Sequence, residues 1–147
     1  MTGATAQVAK TIDASPNDVW SALTTPAKFK QYFFGAEVQS DWKVGHQILL
    51  RGDYKGEPYE DKGEILVAEP NRRLDFSHWS PRSGAPDTPE NYHVVSFALA
   101  PDGPRTKVTL TQSNLKGGVK PSDVEKRQEF EKNWSAVLDG LARTVAS

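Results

Sequence analysis

His78 and His93 stand at either end of the stretch SHWSPRSGAPDTPENYH and are two of the chain's three histidines. An imidazole titrates near neutral pH, so it can take a proton, give one, or ligate a metal. The pair therefore raises three chemistries: general-base catalysis, metal binding, and polar contact with a ligand. A blander reading makes them edge-of-core rings bonded to backbone or water. Two histidines and nearby amides are too few ligands for a common metal site, and Asp87 and Glu90 between them are the only acids at hand, so no metal is expected. Nucleophilic catalysis lacks its signatures. No GxSxG turn holds a serine on a strained elbow, and without cysteine there is no thiolate nucleophile or thiolate ligand. There is no phosphate loop or dinucleotide fingerprint, and no cofactor is expected. The acidic run Glu57, Glu60, Asp61 and Glu64 reads as solvation of a loop and strand edge.

The elements around the histidines decide where they point. Strand alternation puts Leu74, Phe76 and His78 on one face of RRLDFSHW. It puts His93, Val95, Phe97 and Leu99 on one face of NYHVVSFALAP, and Val108, Leu110, Gln112 and Asn114 on one face of TKVTLTQSN. In antiparallel neighbours the end of one strand lies beside the start of the next. If the apolar faces turn inward, His78, His93, Gln112 and Asn114 gather at one end of an apolar floor. An apolar cavity with a few convergent polar groups is the usual form of a ligand site. Tyr32 and Phe34, then Trp42, Ile48 and Leu50, and finally Phe130, Trp134 and Leu138 are expected to complete its walls. Residues Ser80 to Asn91, with three prolines, exceed a usual hairpin loop and read as a lid over the polar end. Trp79 faces the other way, either covered by that loop or exposed to a partner.

The remaining chain supplies the frame. ATAQVAKTI alternates as an opening strand. Ser15 suits an N-cap and Pro16 the first helical position of a short helix carrying Val19, Trp20 and Leu23. Pro26 opens a second helix that ends at Gly35. Five strand candidates follow: Ala36 to Ser40, His46 to Tyr54, Glu60 to Pro70, Arg72 to Trp79 and Asn91 to Pro101, with Thr106 to Asn114 as the partner of the last. Pro and Gly mark every join. Ser122 and Glu125 have capping-box spacing ahead of Phe130, Trp134, Val137, Leu138, Leu141 and Val145, which predicts an amphipathic helix of about 24 residues. The expected fold class is α+β: a curved antiparallel sheet of six to seven strands around a long C-terminal helix, with two short helices between the first two strands. It forms a single domain over residues 1–147.

Composition narrows the partners. Eighteen basic residues against nineteen acidic ones leave a net charge of −1, so no positive surplus draws a nucleic-acid backbone. No apolar run is long enough to span a membrane, and the N-terminus shows no secretory signal. The lack of cysteine fits a reducing cytoplasm. A monomer or weak homodimer is expected.

Five segments carry more than their patterns. They are TIDASPNDVWSALTTPAKFKQYF, DWKVGHQILL, GEILVAEPNRRLDFSHW, TKVTLTQSNL and NWSAVLDGLARTVA. Their order and spacing from Val8 to Val145 resemble the START-like, helix-grip (SRPBCC) superfamily. Within it they resemble the group named after the activator of heat-shock-protein-90 ATPase. The resemblance implies a helix-grip fold with a cavity between the sheet and the C-terminal helix. Members of the wider superfamily carry lipids, sterols, polyketides or other apolar molecules, and a few catalyse cyclisation or hydrolysis. The co-chaperones behind the name carry an extra N-terminal domain with no counterpart in this sequence, so their activity is not carried over. No catalytic motif is common to the group, so no catalytic residue is transferred. The function expected is binding of a hydrophobic or aromatic small molecule, its polar end oriented by His78, His93, Gln112 and Asn114. The alternatives are a cyclase or hydrolase using a pocket histidine, and a chaperone-activating or stress-response partner protein.

Overall fold

Local signals fix where the chain turns. In the computed structural model, which describes residues 4–146, Ser15 caps helix α1 (Pro16–Thr24) by accepting from Asp18 N at 3.2 Å, with Pro16 in the first turn. Residues 1–3 and 147, part of the expected domain, lie outside the described residues. Helix α2 (Pro26–Tyr32) stops short of the expected Gly35, because Phe34 (φ 53°) and Gly35 (φ 75°) are both left-handed. That conformation breaks a helix and is uncommon for a phenylalanine.

The strands are β1 (Ala4–Ile12), β2 (Glu37–Gln39), β3 (Gln47–Tyr54), β4 (Glu57–Glu69), β5 (Arg73–His78), β6 (His93–Asp102) and β7 (Arg105–Asn114). They form one sheet in the order β1-β7-β6-β5-β4-β3-β2, and every neighbouring pair is antiparallel. The expected hairpins are present, and β1 closes the far edge against β7. β4 begins three residues before the expected Glu60. β6 begins at His93 because Pro89–Asn91 winds into a 3-10 turn.

Helix α3 (Pro121–Ala146) is the long element that packs the sheet. Its start differs from the Ser122–Glu125 capping box. Proline occupies the first helical position, and Asp123 reaches back to accept from Lys120 N at 2.8 Å. Asp123 thus serves the N–H of the residue that precedes the helix, two positions earlier than the expected box, in which Glu125 would have served Ser122.

The C-terminal half of α3 is buried through Val137, Leu138, Leu141 and Thr144 and packs on β1, α1 and α2. Gly140 permits that approach: a Cβ there would lie 3.2 Å from Tyr32 Cα. The N-terminal half offers little to bury, since Val124 is exposed. Sheet and helix therefore meet in a dense core at the C-terminal half of α3 and are packed less fully along its first half.

Candidate functional site

Strand register stacks the inner face of the sheet in rows. Leu74, Phe97 and Leu110 are abreast, then Phe76, Val95 and Gln112, then His78, His93 and Asn114. Apolar character thus gives way to polar along one direction, as alternation predicts. Above the polar rows, where α3 stands away from the sheet, lies a cavity of about 610 Å³. Eight expected wall residues line it: Phe34, Leu50, Val95, Phe130 and Trp134 as apolar surface, and His78, His93 and Gln112 as polar surface. Phe34, 61 % exposed, forms part of the rim.

Seven expected residues are not on the wall. Ile48, Phe76, Phe97 and Leu138 are sealed in the core. Tyr32 is also buried, and its hydroxyl donates to Leu23 O at 3.0 Å, tying α2 to α1. Trp42 packs against Phe29 at 6.3 Å. Asn114 Nδ2 donates to Gly118 O at 3.0 Å and to Asp123 Oδ2 at 2.9 Å, which anchors the start of α3. Alternation placed Phe76, Phe97 and Asn114 on the inner face but carries no information on depth.

Gln112 touches the cavity with its amide already engaged. Its Oε1 accepts from Trp134 Nε1 at 2.8 Å, and its Nε2 donates to Thr5 Oγ1 at 2.9 Å. It therefore latches β1, β7 and α3 together at the cavity floor.

The residue that sequence reasoning missed is Asp61. Glu57, Glu60 and Glu64 are exposed, as expected of a solvated strand. Asp61 is 9 % exposed and lines the cavity. Its Oδ2 lies 2.9 Å from His78 Nε2. A carboxylate only accepts, so Nε2 is the donor of this contact, and in the neutral ring Nδ1 is left as an acceptor. Asp61 Oδ1 is buried with no hydrogen-bond partner among the described residues. A usable signal existed: Tyr59, Asp61, Gly63 and Ile65 alternate onto one face of β4, and Ile65 belongs in the core.

His93 has no hydrogen-bond partner of its own among the described residues. Burial holds its imidazole below the ordinary range; nearby His78 adds to this, Asp123 opposes it, and Lys120 adds again. The ring is therefore neutral near pH 7, with one donor and one acceptor. The unfolded chain takes up this proton near pH 6.5, whereas the folded chain takes it up only at lower pH. Between those values the unfolded state binds more protons, so stability is complete above about pH 6.5 and is lost as pH falls through the folded value. Urea midpoints measured from pH 7 to pH 5 should fall, and His93→Gln should flatten that slope. An unchanged slope would show that other groups carry it.

The loop after β5 is not a cover over the whole polar end. Trp79 Nε1 donates to Ala85 O at 3.3 Å, and its ring stacks on Tyr92 at 6.4 Å, with Lys62 over the same ring at 5.7 Å. Asp87 joins Lys62 in an ion pair and accepts from the Tyr92 hydroxyl at 2.6 Å. Trp79 is thus covered by the loop, the first of its two expected fates. These contacts hold the loop to the outer face of β4. Only Arg82 reaches the cavity rim, its guanidinium 5.5 Å over the Tyr59 ring.

Among the described residues no cluster of three or more metal-ligating side chains occurs, and no helix is long and apolar enough to cross a membrane.

The fold has many solved counterparts. The protein ChR145 from Cytophaga hutchinsonii is 42 % identical over 96 % of this chain and 92 % of its own, with a TM-score of 0.77. The Aha1 dimer from Colwellia psychrerythraea is 21 % identical, covering 95 % and 93 %, with a TM-score of 0.69. DynU16, a protein of the dynemicin biosynthetic locus, is 19 % identical over 97 % of this chain and 47 % of its own, with a TM-score of 0.76. The last two show the shared fold alone. No curated protein matches the chain. A family model, activator of Hsp90 ATPase homolog 1-like protein, matches residues 13–146. All three helices and strands β2 to β7 fall within that span, and the chain belongs to the family of activator of Hsp90 ATPase homolog 1-like proteins.

Proposed function

We propose that the protein binds an apolar small molecule, of lipid, sterol or aromatic polyketide type, in the cavity between the sheet and α3. The observation that carries this reading is a cavity of about 610 Å³ whose apolar walls converge on Asp61, His78 and His93. Drug-sized ligands occupy cavities of roughly 300–1,000 Å³ with this division between wall and polar end. Burial of the ligand's apolar surface supplies the affinity, at roughly 25 cal/mol per Å² less the cost of immobilising it. The polar groups then set its orientation.

Amide NMR spectra recorded during titration with fatty acids, sterols, flavonoids and polyketide-like aromatics test this. Shifts are expected at His78 and His93 and along α3 from Glu129 to Trp134. A folded protein that responds to no class would overturn the reading and shift attention to a protein partner.

A second reading has one specific observation in its favour. Asp61 orients His78 through the 2.9 Å contact at Nε2, as the partner of a general base does. Under that reading a cyclase- or hydrolase-type reaction is lost in His78→Ala while binding persists. Loss of binding together with turnover would favour a carrier. The partner-protein reading has less support than the sequence suggested, because Trp79, its expected anchor, is covered.

A further inference from the structure

The unmet hydrogen-bonding groups at the polar end specify more than an apolar occupant. This inference rests on the small-molecule reading above and names the ligand's polar group. Asp61 divides its carboxylate unequally: Oδ2 meets His78 Nε2, whereas Oδ1 is buried without a donor. In the neutral ring this bond leaves His78 Nδ1 as a second acceptor. The floor amides beside this pair are largely engaged: Gln112 gives one N–H to Thr5, and Asn114 gives both of its N–H groups to Gly118 and Asp123. His93, Tyr59, Asn133 and Arg82 bring donor groups to the cavity lining, yet Asp61 Oδ1 is met by none of them.

Charge points the same way. Asp53, Asp61 and Glu129 line the cavity against one arginine, Arg82, which lies over Tyr59 at the rim. A ligand carboxylate would enter against that balance and would meet Asp61, which can only accept. An ammonium would meet the same carboxylates, but its desolvation costs far more than a hydroxyl's. The walls at this depth are aromatic, with Phe33 and Trp134 at 5.8 Å from each other. We infer that the site selects a neutral aryl hydroxyl, which donates to the Asp61–His78 pair, and rejects the matching carboxylate.

Calorimetric titration of the full chain with β-naphthol, its methyl ether and β-naphthoate tests the inference at pH 7. The three share one ring system and differ at the polar group. β-Naphthol should bind about tenfold or more tighter than the ether, which cannot donate to the buried acceptor. The naphthoate should bind weakest. In Asp61→Asn the preference for hydroxyl over ether should vanish and the naphthoate should gain, since an amide can donate. Equal binding of naphthol and ether, or tightest binding of naphthoate, would overturn the inference and leave the small-molecule reading standing. Binding of none of the three would overturn it as well. Silence across the wider NMR panel would then remove the parent reading too. If Asp61→Asn fails to fold, the wild-type series alone decides.

Discussion

Gly63→Ala is expected to destabilise the protein by about 4 kcal/mol or more, enough to unfold many small domains. Gly63 lies in β4 opposite β5, close to the bulge between Ile65 and Val67. A Cβ built on it would sit 1.7 Å from Ser77 O and 2.5 Å from Ser77 C. Both are backbone atoms, so no side chain can swing aside, and the two strands would have to part. Their local bonds would go with them: Glu64 N to Ser77 Oγ at 3.0 Å, Lys62 N to Trp79 O at 3.0 Å, and Trp79 N to Lys62 O at 2.8 Å. Asp61 and His78 flank this point, so whatever folded population survives should lose their contact. Gly52 makes a useful contrast. The atoms nearest a Cβ there belong to the Tyr59 side chain, which can move. Chemical denaturation monitored by circular dichroism checks the result, and a wild-type midpoint for Gly63→Ala would refute the close strand approach.

Phe97→Ala should cost about 3–5 kcal/mol, the usual range for emptying a buried aromatic site. Phe97 is fully buried on β6, in the same row as Leu74 and Leu110. Its ring meets Tyr32 edge-on at 6.5 Å, and the Tyr32 hydroxyl holds Leu23 O. One side chain thus links the sheet to both short helices. The lost contacts cannot be rebuilt by collapse, because the sheet on one side and the α1–α2 pair on the other are each internally bonded. Phe97→Leu, which refills most of the space, should cost much less. Urea unfolding of the two variants gives the comparison. Equal midpoints would show that Phe97 lies in a looser part of the core than its burial indicates.

The same residues show how far the sequence could be read. Alternation in β5, β6 and β7 placed His78, His93 and Gln112 on the inner face at one end, because side chains reverse direction at every residue and antiparallel strands bring opposite ends together. Proline, glycine and the spacing of Val137, Leu138 and Leu141 located the helices. The ordered segments from Val8 to Val145 pointed to the family that the match over residues 13–146 establishes.

Depth and partnership were decided elsewhere. Tyr32, Phe76, Phe97 and Leu138 share the inward direction of the wall residues, yet α1, α2 and the close end of α3 seal them in. Gln112 and Asn114 resembled ligand contacts until Thr5, Trp134, Gly118 and Asp123 occupied their amides. Asp61 looked like one of four solvated acids until β5 laid His78 beside it. Face is a local property, set by the backbone every two residues. Hydrogen-bond satisfaction depends on which atoms come within 3 Å across strands and helices distant in sequence, and only the packed chain determines that.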